Sequence, residues 1–81
     1  LEGSVQLLTE AAEKMPGNLQ IILNAAQALL VHIDQRGWNE GYMDSARRYM
    51  DTARIKSATH PKLLTISKLA VEVTKKYGVA A

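Results

Sequence analysis

Apolar residues recur at three- and four-residue spacing along nearly the whole chain, in four runs separated by short breaks. In the first run, residues 4–15, Val5, Leu8, Ala11, Ala12 and Met15 fall on one helical face, with Ser4 as the N-cap. Pro16 disfavours helix in the residue before it, and Gly17-Asn18 supply a turn. The second run, residues 19–36, is apolar over much of its circumference, from Ile21, Ile22 and Leu23 to Leu29, Leu30, Val31 and Ile33. Such a helix is expected to be central, packed by neighbours on two sides, with Gly37 as its stop. The third run, residues 40–57, has Asn39 as its cap, Trp38 and Met43 as a hydrophobic staple, and an apolar stripe of Tyr42, Ala46, Tyr49, Met50 and Ala53. The fourth, residues 61–77, starts on Pro61, which suits the first helical position, and carries Leu63, Ile66, Ala70, Val73 and Tyr77. Lysines fill much of its remaining surface, so it reads as a closing helix with one packed and one wet face. No segment alternates with period two, and the expected fold class is all-α.

Composition narrows this only slightly. Eighty-one residues allow a single domain. The absence of cysteine excludes disulfides, a thiolate metal site and a thiol nucleophile. No apolar run approaches the roughly 20 residues that span a bilayer. The opening "LEGSVQ" lacks a basic stretch before an apolar one, so no secretory signal is expected there. With no starting methionine, we expect an excerpt of a longer cytoplasmic protein with no membrane partner.

Charge is unevenly placed. Residues 1–40 carry Glu2, Glu10, Glu13, Asp34 and Glu40 against Lys14 and Arg36. Residues 41–81 carry Arg47, Arg48, Arg54, Lys56, Lys62, Lys68, Lys75 and Lys76 against Asp44, Asp51 and Glu72. A basic surface of Arg47, Arg48, Arg54 and Lys56 supports an alternative reading, a small helical nucleic-acid-binding domain. Two features favour ordinary solvated helix faces instead. Asp51 stands within pairing distance of both Arg47 and Arg54. The third helix opens "NEGYMD", acidic where a DNA-reading helix needs bases.

The stretch "VHIDQRGW" gathers His32, Asp34, Arg36 and Trp38. On a helix, His32 and Asp34 are two residues apart and point to different sides, which does not make a catalytic pair. A metal site needs three or four ligands, and no such set is spaced around His32 or His60. His32 also lacks the following Lys or Gly of a histidine phosphotransfer helix. We expect no catalytic residue, cofactor or metal, with His32 half-exposed late in the second helix. Gly41 leaves room for Trp38 near the backbone.

A shift of 42 residues superposes the chain on itself. It places Ser4 on Ala46, Leu8 on Met50, Ala11 on Ala53 and Lys14 on Lys56, then Ile21 on Leu63, Ile22 on Leu64 and Leu29 on Val71. Two patterns recur: Ile22-x-x-Ala25-Ala26-x-x-Leu29, and Ala46-x-x-x-Met50-x-x-Ala53, echoed by Ser4-x-x-x-Leu8-x-x-Ala11 with Pro16 beyond. Alanines let helix axes approach, and the large residues fill the gaps. This order resembles the tetratricopeptide repeat, a helix–turn–helix unit of about 34 residues. The resemblance implies antiparallel hairpins in a right-handed superhelix. Residues 1–18 would be the second helix of a preceding repeat, 19–60 one lengthened repeat, and 61–81 a capping helix. The sequence departs from the family at Ile22 and Ala26, which stand where the family usually has a large aromatic and a glycine. It also departs in the eight extra residues between Leu29 and Ala46. With "LNAAQALL" before it and "RGW" at its tip, the long hairpin is similar to the tetratricopeptide-like C-terminal regions of certain bacterial response regulators.

That resemblance implies a non-catalytic protein–protein interaction module. Its ligand-facing positions would be Gln20, Leu23, Asn24, Gln27, Leu30, Val31 and Lys62, with Asn24 bonding the backbone of an extended peptide. Ile66 stands where a second base would complete a carboxylate clamp, so no full clamp is implied. The first helix would lack its hairpin partner, leaving Val5, Leu8 and Ala12 as a face for self-association, with a homodimer formed through the first two helices.

Overall fold

The computed structural model describes the backbone of residues 2–78 and the side chains of residues 5–78. They form four α-helices, α1 (Glu2–Lys14), α2 (Leu19–Arg36), α3 (Glu40–Lys56) and α4 (Pro61–Lys76), with no strand among the described residues. The backbone extends 33 × 28 × 16 Å, and a thickness of 16 Å corresponds to two layers of helices. α2 touches each of the other three helices, and α3 also meets α4.

The breaks arise where the sequence placed them, with additional caps. The Asn18 side chain accepts a hydrogen bond from the Ile21 amide at 3.2 Å, so the turn residue is also the N-cap of α2. Gly37 ends α2 at φ 115°, its N–H donating to the Ile33 carbonyl at 2.9 Å. Asn39 caps α3 by accepting from the Tyr42 amide at 3.0 Å, as expected. His60 caps α4, its Nδ1 accepting from the Lys62 amide at 3.1 Å, ahead of Pro61 in the first turn. One cap is corrected: α1 already runs from Glu2, so Ser4 lies inside the helix rather than at its cap.

The core is one cluster. α2 contributes Ile22, Leu23, Ala25, Ala26, Leu29, Leu30 and Ile33. α3 adds Met43, Ala46, Tyr49, Met50 and Ala53, α4 adds Leu63, Ile66 and Val73, and α1 adds Val5 and Ala12. Truncating Leu29 to alanine removes a fully buried side chain, which costs on the order of 2–5 kcal/mol at such sites. The far end of α2 is tied to the far end of α4. The Asp34 carbonyl, one of the last acceptors of α2, takes hydrogen bonds from the Tyr77 hydroxyl and Lys76 Nζ, each at 3.0 Å. Lys76 also pairs with the Asp34 carboxylate at 3.0 Å. That bond, followed by the nearby negative charge, raises the Lys76 pKa above its ordinary value, against the opposing effect of desolvation.

Three expectations change. His32 is buried, only 8 % exposed, because α1 and α3 flank the side of α2 on which it lies; its ring meets Tyr42 edge-on at 5.1 Å. Trp38 is half-buried, packs near Tyr77 at 6.3 Å and donates to Glu40 at 2.8 Å. Gly41 is not needed for that packing, since an added Cβ would meet only Asn39 Oδ1, at 3.5 Å. Finally, the outer face of α4 is wet as expected but not wholly polar, since Leu64 and Val71 are exposed on it.

These glycines have opposite predicted effects. Gly41→Ala is expected to raise the unfolding free energy by about 0.5–1 kcal/mol, because helical alanine loses less backbone entropy. Gly37→Ala is expected to lower it by about 1–3 kcal/mol, because φ 115° strains any residue with a Cβ. Urea unfolding followed by far-ultraviolet circular dichroism measures both.

Candidate protein-binding grooves

Asn24, Gln27, Ala28 and Val31 follow one another at helical spacing along one side of α2. Facing them from α1 are Val5 and Leu8, and between the helices runs a groove of about 380 Å³ that ends at His32. Its floor is apolar and its rim is amide. Gln20 Nε2 donates to Asn24 Oδ1 at 3.2 Å, and Lys62 Nζ, reaching over from α4, donates to the same oxygen. With Oδ1 taken up in this way, the Asn24 amide has its Nδ2 donor to offer a ligand. His32 Nδ1 is sealed in without a hydrogen-bond partner among the described residues.

Gln20, Asn24, Gln27, Val31 and Lys62 therefore come together at one surface. Leu23 and Leu30 do not join them. Both are fully buried, because α2 is covered on the side from which they project. Ile66 of α4 is likewise a core residue. Of the expected self-association face, Val5 and Ala12 are buried within the chain itself, and Leu8 is half-buried at the groove wall. The exposed apolar residue of α1 is Leu7, one position away.

The basic surface is largely paired. Arg47 lies 3.8 Å from Asp44, Arg54 lies 2.9 Å from Asp51, and Arg48 reaches Glu13 of α1 at 3.3 Å. Lys56 is exposed at the end of α3. Each of these pairs is solvent-exposed and stabilises little, but each moderates the positive field that nucleic acid would meet. Glu13 also accepts from the Tyr49 hydroxyl at 3.1 Å, which joins α1 to α3 across a second groove of about 530 Å³. Asn18, His60 and the Glu13 link are structural residues that periodicity alone does not reveal. Among the described residues there is no group of three or more His, Cys, Asp or Glu able to hold a metal ion. No helix among them is long and apolar enough to cross a membrane.

Comparison with protein-family models, with curated proteins and with solved structures finds no match for this chain. What the fold itself shows is an all-α protein whose described residues form four helices.

Burial, and then the hydrogen bond to Glu13, raise the Tyr49 pKa above its ordinary 10.0. Between the unfolded and folded values the native state holds a proton that the unfolded chain has released. Stability contributed by this group is therefore present below pH 10 and lost as pH rises through the folded pKa. Ultraviolet titration of the phenols should find Tyr49 ionising above the ordinary value. Glu13→Gln should move it back toward the ordinary value while the chain stays folded.

Proposed function

We propose that this chain is a non-catalytic interaction module that docks a protein segment along the α1–α2 groove. The observation that carries the reading is the combination of an apolar floor at Leu8, Ala28 and Val31 with the amide rim of Gln20, Asn24 and Gln27. Apolar side chains of a docked segment fill the floor, and amides bond its backbone, as in other helical grooves that take peptides. Lys62, beside Asn24, adds a further hydrogen-bond donor to the rim. The repeat patterns around Ala25-Ala26 and Ala46-Met50-Ala53 support a tetratricopeptide-like superhelix as the scaffold. The lengthened hairpin ending in "RGW" supports a further placement, as the output or scaffolding part of a bacterial two-component response regulator in the cytoplasm.

Peptide display tests the groove. Peptides selected on the protein should lose most of their affinity to Val31→Glu, which places a charge on the floor, and at least several-fold to Asn24→Ala. Both positions are only partly buried, so circular dichroism should show intact helix in each variant. Selection that returns only peptides indifferent to both changes would contradict the reading.

A further inference from the structure

The 42-residue shift places α1 on α3 and α2 on α4, so the packing inside the chain specifies how further repeats would pack. Ile22 and Leu29 of α2 are buried beside Tyr49 of α3. Their counterparts on α4 are Leu64 and Val71, which are 55 % and 53 % exposed. Tyr49 corresponds to Leu7 of α1, which is 69 % exposed, and Met50 and Ala53 correspond to the half-buried Leu8 and Ala11. Glu13, which holds Tyr49 from the side of α1, corresponds to Ile55 of α3, 87 % exposed. Four of the five large apolar side chains exposed on the described surface thus occupy positions whose repeat counterparts form the α1–α2–α3 seam. Apolar residues scattered singly over a surface are ordinary, but scatter does not follow a repeat.

We propose that the segment docked on α1 and α2 is α4 of a second copy of this chain. Leu64 and Val71 of that copy pack on Leu7, Leu8 and Ala11, as Ile22 and Leu29 pack on α3 within one chain. Its Ile55 meets Leu7. Since α2, the counterpart of α4, leans on both α3 and α4 inside the chain, the incoming α4 leans on both α1 and α2, and so lies along the groove. Charge is complementary. α1 carries Glu2, Glu10 and Glu13 against Lys14, whereas α4 carries Lys62, Lys68, Lys75 and Lys76 against Glu72. A groove of about 320 Å³ between α3 and α4, with Met43, Met50, Ala70 and Val71 between Arg47 and Lys75, receives the edge of the neighbour's α1. The two surfaces differ, so the contact is heterologous. Each copy keeps one free end, and stacking continues until it closes on itself or runs on as a filament. This inference names the occupant of the groove and rests on the docking reading above.

Sedimentation velocity on two variants and their mixture tests it. For the unmodified chain, mass should rise with concentration past the dimer and fall with added salt. Leu7→Glu blocks the α1 surface and Val71→Glu the α4 surface; both sites are exposed, so each variant should stay folded and monomeric. Mixed in equal amounts, they should form a one-to-one pair and nothing larger, because each keeps the surface the other has lost. A chain that remains monomeric near millimolar concentration would overturn the proposal. So would a pair that stops at two copies and survives Val71→Glu, the mark of a symmetric α1 contact. If display peptides sensitive to Val31→Glu are found while the chain stays monomeric, groove docking stands and only this occupant fails.

Discussion

Close approach of α2 and α3 is the constraint on which the other contacts depend. Ala25 and Ala26 on α2 and Ala46 and Ala53 on α3 are completely buried. With only methyl groups at those positions the helix axes can come near, and Ile22, Leu29, Met43 and Met50 fill the spaces on either side. A chain of 81 residues has little core to spare, so a tight seam contributes a large part of what opposes chain entropy. α1 and α4 then pack against α2 from other directions. They are held at their ends by polar contacts that do not compete with the seam: Glu13 with Arg48 and Tyr49, and Lys76 and Tyr77 with Asp34.

The placement of the grooves follows from this. An apolar helix surrounded by three shorter stripes leaves one strip of its own surface open, and on α2 that strip is Gln20, Asn24, Gln27 and Val31. Three of these four are amides, which suits a surface that must be wet when empty and hydrogen-bonded when covered. The eight residues between Leu29 and Ala46 that lengthen the hairpin extend α2 to Arg36 and set Trp38 against Tyr77. The polar cluster from His32 to Trp38 is therefore the clasp at one end of the fold: Asp34 binds α4, Trp38 packs on Tyr77, and His32 is pressed against Tyr42.

The helices were legible because their breaks are local chemistry. Pro16, Gly37, Asn39 and Pro61 act on the backbone within a residue or two, and the apolar stripes of α3 and α4 match the buried positions almost throughout. Which parts of α2 are covered was not legible. Its apolar residues surround the helix, so burial of Leu23, Leu30 and His32 is decided by where the neighbours sit and not by periodicity. The same limit applies to pairing. Asp51 had two arginines within reach along α3 and binds Arg54, while Arg47 takes Asp44; the Arg48–Glu13 pair spans 35 residues and depends on the packing of α1. His60 as a cap was missed because histidine seldom has that role, although its place just before Pro61 was a usable signal.

Native-state hydrogen exchange tests the central role of α2 most directly, because it gives an opening free energy for each amide. If the fold is built around the α2–α3 seam, amides from Ala25 to Ile33 and from Ala46 to Ala53 should be the slowest. Their opening free energies should equal that of global unfolding, while those of α1 open at lower cost. Opening of α2 below the global value, with α1 and α4 still protected, would contradict the account.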